Sequence, residues 1–100
     1  MKDIAELIKQ LGVKDNALRR GIVEQLGSRE DETAIDALIP LLKDKDRFVR
    51  QEVVWSLKKI GGSRVIEILT QALDTEKNEF VIDYIKMALE RLHGEESASS

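Results

Sequence analysis

The chain repeats itself at a spacing of 31 to 32 residues. Shifted by 31, Ile4, Leu7, Ile8 and Leu11 fall on Ile35, Leu38, Ile39 and Leu42. Lys14, Asp15, Arg19, Val23 and Leu26 then fall on Lys45, Asp46, Arg50, Val54 and Leu57. A third copy keeps register at Ile66, Leu69 and Leu73, gains one residue in a turn, and resumes with Phe80, Val81, Leu89 and Gly94 over Phe48, Val49, Leu57 and Gly62. A period of this length marks a repeat architecture, in which each unit buries its apolar face only by stacking on the next.

Within each copy the apolar spacing is helical. Ile35, Leu38, Ile39 and Leu42 follow the i, i+3, i+4, i+7 pattern, and Val49, Val53, Leu57 and Ile60, at i, i+4, i+8 and i+11, also share one helical face after a polar break at 43–46. The pattern predicts helices over 3–11, 16–27, 33–43, 47–60, 64–74 and 79–93. Asp15, Asp46 and Asn78 hold one repeat position just before each second helix, where a side-chain oxygen accepts from free N–H groups as an N-cap. Thr33 and Ser63 are expected to cap the first helices of the second and third copies. Gly27, Gly61 and Gly94 are expected to stop the second helices. Pro40 removes one backbone donor inside a helix and predicts a bend.

The segment 34–62, AIDALIPLLKDKDRFVRQEVVWSLKKIGG, resembles the short HEAT-like repeat also found in phycobilisome lyase subunits. Its most specific part is Asp46-x-x-Val49-Arg50 followed by Leu57 and Ile60-Gly61, matched in the first copy by Asp15, Leu18 and Arg19. The resemblance implies an all-α fold, an α-α superhelix of three helical-hairpin HEAT-like repeats. It also implies that the Asp and the Arg tie neighbouring repeats together by hydrogen bonds. The third copy has Asn78 and Ile82 in those places, so the ladder is expected to end there. The expected organisation is one three-repeat domain over 1–94, with repeats at 3–32, 33–63 and 64–94, and a disordered tail at 95–100.

Equivalent positions at the two ends differ from those in the middle. Where the second and third copies carry Ala34, Ala37, Leu41 and Val65, Ile68, Ala72, the first carries Asp3, Glu6 and Gln10. On the other flank Ile8, Val23 and Ile39, Val54 give way to Thr70 and Lys86. Solenoids cap their stacks with polar outer faces, so a self-contained three-repeat domain is expected.

Composition narrows the function classes. The net charge of −3 argues against nucleic acid as a partner, although Arg47, Arg50, Lys58, Lys59 and Arg64 are the cations that would serve it. There is no cysteine, and the single histidine, His93, falls in the last turn of the last second helix, where it favours the dipole. One imidazole without thiolates does not build a zinc site, so no metal or cofactor is expected. The Glu30–Asp31–Glu32 run reads as a solvated loop, and Gly61-Gly62 lacks the Lys-Ser/Thr of a phosphate loop. No catalytic constellation is present, which predicts a non-enzyme. No signal peptide and no bilayer-length apolar run are seen, so the expected location is cytoplasmic, away from membranes.

The aromatic residues carry the functional expectation. Phe48 and Trp55 lie on a stripe with Glu52 and Lys59, nearly opposite the buried stripe of their helix. The third copy has Phe80, Tyr84 and Met87 at matching places, while the first has Ala17, Gly21 and Glu24. An exposed apolar strip of Phe48, Trp55, Phe80, Tyr84 and Met87 is therefore expected on the second helices, with Lys59 and Arg91 as a basic rim. Such a strip suits a scaffold or adaptor that binds a peptide or helix of a partner protein. The alternatives are a homodimer closed through the same strip and, by the family resemblance, an accessory subunit of a tetrapyrrole-modifying lyase.

Overall fold

The computed structural model describes residues 2–99. It is helical throughout, in the order α1 (Ile4–Gln10), α2 (Asn16–Ser28), a 3-10 turn (Glu32–Ala34), α3 (Ile35–Leu38), a 3-10 segment (Ile39–Lys43), α4 (Arg47–Ile60), α5 (Ser63–Ala72) and α6 (Glu79–Ser99). The second helices pack in sequence, α2 on α4 and α4 on α6, and each covers the first helix of its own repeat. The result is a slab of helix pairs measuring 38 × 30 × 16 Å, the α-α superhelix that the period predicts. Among the described residues no helix is long and apolar enough to cross a membrane.

The second helices start as expected. Asp15 Oδ1 accepts from Leu18 N–H at 3.0 Å, and Asp46 Oδ1 accepts from Phe48 and Val49 N–H at 2.8 and 3.0 Å. Asn78 Oδ1 does the same for Phe80 and Val81 at 2.9 and 3.2 Å. At Pro40, where a bend is expected, the structure shows a change of helix type: α3 gives way to a 3-10 segment through Lys43, because the missing N–H breaks the α-helical ladder.

Other local expectations need correction. Thr33 is not the cap of repeat two. Asp31 takes that role, accepting from both the N–H and the hydroxyl of Thr33 at 2.8 Å. Ser63 is the first residue of α5 rather than its cap, and Gly62 precedes it with no side-chain bond. Gly61 does close α4, at φ 72°, with its N–H donating to Leu57 O. Gly27 stops nothing, since α2 continues to Ser28. Gly94 is likewise inside α6, which runs on to Ser99 through the segment read as a tail. Ser100 lies outside the described residues.

The core is one cluster of apolar side chains shared by all three repeats. Leu7, Val23, Leu26, Leu38, Val54, Leu57, Leu69 and Ile85 are among its buried members. Two devices join repeat one to repeat two. Gly27 brings α2 against α4 so closely that a Cβ there would lie 2.7 Å from Ser56 Cα. The buried Ser56 hydroxyl donates to Val23 O at 2.9 Å, so the contact leaves no polar atom unsatisfied.

The second device is a buried ion pair. Arg19 donates through Nε and Nη2 to the two oxygens of Asp44 at 2.7 and 3.0 Å, and through Nη1 to Val13 O at 2.7 Å. Arg50 repeats the arrangement one step on, with Nε to Glu76 Oε1 at 2.8 Å and Nη1 to Asp44 O at 2.6 Å. The arginines of the inter-repeat ladder are thus the anticipated ones, but their acids are not. Asp15 and Asp46 are occupied in capping, and the acid comes from the turn of the following repeat. With Ile82 in the third copy the series ends as expected.

On the flanks compared in the sequence, Ala34 and Val65 are buried and Ala37, Leu41, Ile68, Ala72 and Gln10 half-buried, whereas Asp3, Glu6, Thr70 and Lys86 are exposed.

Candidate functional site

Helical phase alone places the aromatic residues together. Phe48, Glu52, Trp55 and Lys59 are three or four residues apart on α4, and α6 repeats the stripe as Phe80, Tyr84, Met87 and Arg91. Because α4 and α6 are packed neighbours, the two stripes become one face. Phe48, Phe80 and Met87 are exposed, by 47%, 61% and 43%, which is high for such side chains in a folded domain.

The expectation of an open Trp55 needs correction. Its ring is half-buried because three neighbours close on it. Tyr84 meets it edge to face, with ring centroids 6.2 Å apart at 88°. Lys58 Nζ lies 4.4 Å from the ring centroid, and the Arg91 guanidinium lies 5.1 Å from it. Arg91 therefore belongs to the face as foreseen. Lys58 holds the place against the ring, whereas Lys59 acts on the Glu52 charge instead. Tyr84 remains exposed at its rim.

Arg47 was not foreseen as part of this face. Its guanidinium sits between two rings, 4.6 Å from the Phe48 centroid and 4.8 Å from the Phe80 centroid. Cations over aromatic faces are attracted to the ring quadrupole, so Arg47 ties the start of α4 to the start of α6. The signal was present in the sequence as an Arg adjacent to a Phe that recurs in the third copy. Its meaning depends on the distance between two helix starts.

Between these two cationic ends runs a recess of about 460 Å³, lined by Arg20, Glu24, Phe48, Gln51, Glu52, Trp55, Tyr84 and Met87. The Glu52 carboxyl is held above its ordinary range, first by burial and then by the nearby Glu24 charge, against the opposing pull of Lys59 and Arg20. A second, larger hollow of about 620 Å³ lies on the other layer, between the 3-10 segment at Pro40 and α5, with Ile39, Leu42, Ile68 and Val81 in its walls. The cations considered for nucleic acid are dispersed: Arg50 is inside the Glu76 pair, Arg64 meets Asp36, and Arg47 and Lys58 are on rings. Among the described residues no group of His, Cys, Asp and Glu is placed to hold a metal ion.

Comparison with known proteins agrees with this architecture. The family model for HEAT repeats matches residues 4–90. The epoxyqueuosine reductases of Bacillus cereus (strain ATCC 14579) and Bacillus anthracis are each 37% identical over 76 residues, which is 75% of this chain and 20% of the reductase. The chain thus spans about a fifth of the length of the curated relatives it matches. With helix pairs, stacking order and the matched span in agreement, the chain belongs to the HEAT-repeat family.

Proposed function

We propose that this chain is a non-catalytic scaffold whose α4–α6 face binds a helix or peptide of a partner protein. One observation carries the reading: all four aromatic residues, with Met87, gather on that face and three of the cluster are strongly exposed. Tryptophan, tyrosine and arginine dominate the energetics of protein interfaces, and here they are pre-assembled through ring–ring and cation–ring contacts. A rigid cluster loses little side-chain freedom on binding, which favours affinity. HEAT repeats generally mediate protein interactions, in keeping with this use. The reductase match concerns a fifth of those enzymes, so their activity is not carried into the proposal.

The same exposed strip supports one other occupant, a second copy of the chain, which would bury Phe80 and Met87 symmetrically. Light scattering across concentrations separates the two: a mass that doubles with concentration favours the dimer, and a constant monomer mass favours a foreign partner. The docking face itself is tested by co-purification beside the double variant Trp55→Ala, Met87→Ala. A partner lost only from the variant supports the face, and one retained equally contradicts it.

A further inference from the structure

The middle of the α4–α6 face holds a carboxylate that makes no ion-pair contact among the described residues. Glu52 lies on α4 between Phe48 and Trp55, half-buried, with Glu24 of α2 close enough to repel it. Among the described residues neither carboxylate takes part in an ion pair or a side-chain hydrogen bond. The contrast with other shielded acids is clear. Asp44 and Glu76 each receive a guanidinium, and Asp46 caps a helix. Arg20, in the same recess, and Lys59 ease the charge without an ion-pair contact to it. A partly desolvated carboxylate without a partner costs stability, and glutamine would fill the same volume at no such cost.

The recess around it has the shape and chemistry for a long basic side chain. Phe48, Trp55, Tyr84 and Met87 wall about 460 Å³, and Glu24 and Glu52 outnumber the one cation of the lining, Arg20, so the recess is net negative. Apolar walls suit the methylene stem of lysine or arginine, and the carboxylates suit its head. We infer that this recess receives one lysine or arginine side chain from the bound partner helix, with Glu52 as its counter-ion. The inference rests on the α4–α6 face being the docking surface. Arg47 at one end, and Lys58 and Arg91 at the other, repel a uniformly basic peptide. The fitting partner is an amphipathic helix with a single central cation among apolar residues.

The test selects a displayed library of random helical peptides on the immobilised full chain, with parallel selections on Glu52→Gln and Trp55→Ala. The expected result is enrichment of peptides carrying one central Lys or Arg. Those peptides should bind Glu52→Gln about tenfold more weakly, as loss of a desolvated charge partner implies. The thermal midpoint of Glu52→Gln should be unchanged or higher, since its charge is disfavoured by folding. Peptides that need Trp55 yet lack a basic residue, or bind Glu52→Gln equally well, overturn the cation anchor and leave the docking face standing. A lowered midpoint for Glu52→Gln overturns it too, by making the carboxylate structural. Peptides indifferent to Trp55, or no enrichment at all, overturn the docking face and the anchor with it.

Discussion

The boundary between α2 and α4 and the boundary between α4 and α6 join equivalent helices and each has an Arg–carboxylate pair, yet their helix–helix contacts are built from opposite materials. The first is closed by small residues: Gly27 against Ser56 lets the backbones touch, and Arg19–Asp44 seals the turn with side chains only 7% exposed. The second is spanned by rings and cations, with Phe80 standing 61% exposed at its edge. A repeat scaffold can stabilise itself through close backbone approach or through large side chains, but only the latter leaves apolar surface available to a partner. One α4 helix serves both purposes on two of its faces.

The largest expected effect is on the closed boundary. Arg19→Met strands Asp44 in the interior and should cost about 3–5 kcal/mol, measured by urea unfolding, as for other broken buried pairs. Arg50→Met, whose pair is more open at 17% and 11% exposure, should cost about 2 kcal/mol, in line with a hydrogen bond to a charged group. Equal losses at the two sites would erase the distinction drawn here.

Acid should attack the same boundary. Burial pushes the Asp44 carboxyl up, but the bonds from Arg19 and from Asp46 N–H outweigh it and hold it below its ordinary 3.8. Its folded value is thus depressed. Its contribution is complete above the unfolded value and is lost as pH falls through the folded one. Stability should therefore decline below about pH 4, and Asp44→Asn should flatten that decline while lowering stability at neutral pH.

Two glycines of α2 give the next contrast. Gly27→Ala should cost about 1–3 kcal/mol, because its Cβ would sit 2.5 Å from Ser56 Oγ and 2.7 Å from Ser56 Cα, backbone that cannot step aside alone. Gly21→Ala meets nothing within 4 Å and should stabilise the helix by about 0.5–1 kcal/mol, the ordinary propensity gain. A pair of thermal melts reads both signs.

Much of this was legible from the period. Stacked helix pairs, the caps at Asp15, Asp46 and Asn78 and the break at Pro40 follow from local chemistry repeated at fixed spacing. What depends on distance between elements was not. Gly27 has the composition of a helix stop, and only the approach of α4 reveals it as a contact. Asp44 and Glu76 share a repeat position as well, yet a motif confined to one repeat assigns the acid to Asp46 and misses the partner in the next turn. Arg47 reads as a lone surface cation until α6 brings Phe80 beside it. Trp55 was placed on the right face, but the closing of Tyr84, Lys58 and Arg91 over its ring required the side chains themselves.

The central claim is that the α4–α6 face is functional rather than structural, and Trp55→Ala tests it most directly. Loss of the half-buried ring, with its edge contact to Tyr84 and its two cation contacts, should lower stability by about 2 kcal/mol in a melt that stays cooperative. Affinity for a partner captured by the wild-type chain should fall by about 2 kcal/mol in calorimetric titration. Unchanged affinity, or loss of cooperative unfolding, would show instead that the aromatic cluster belongs to the core.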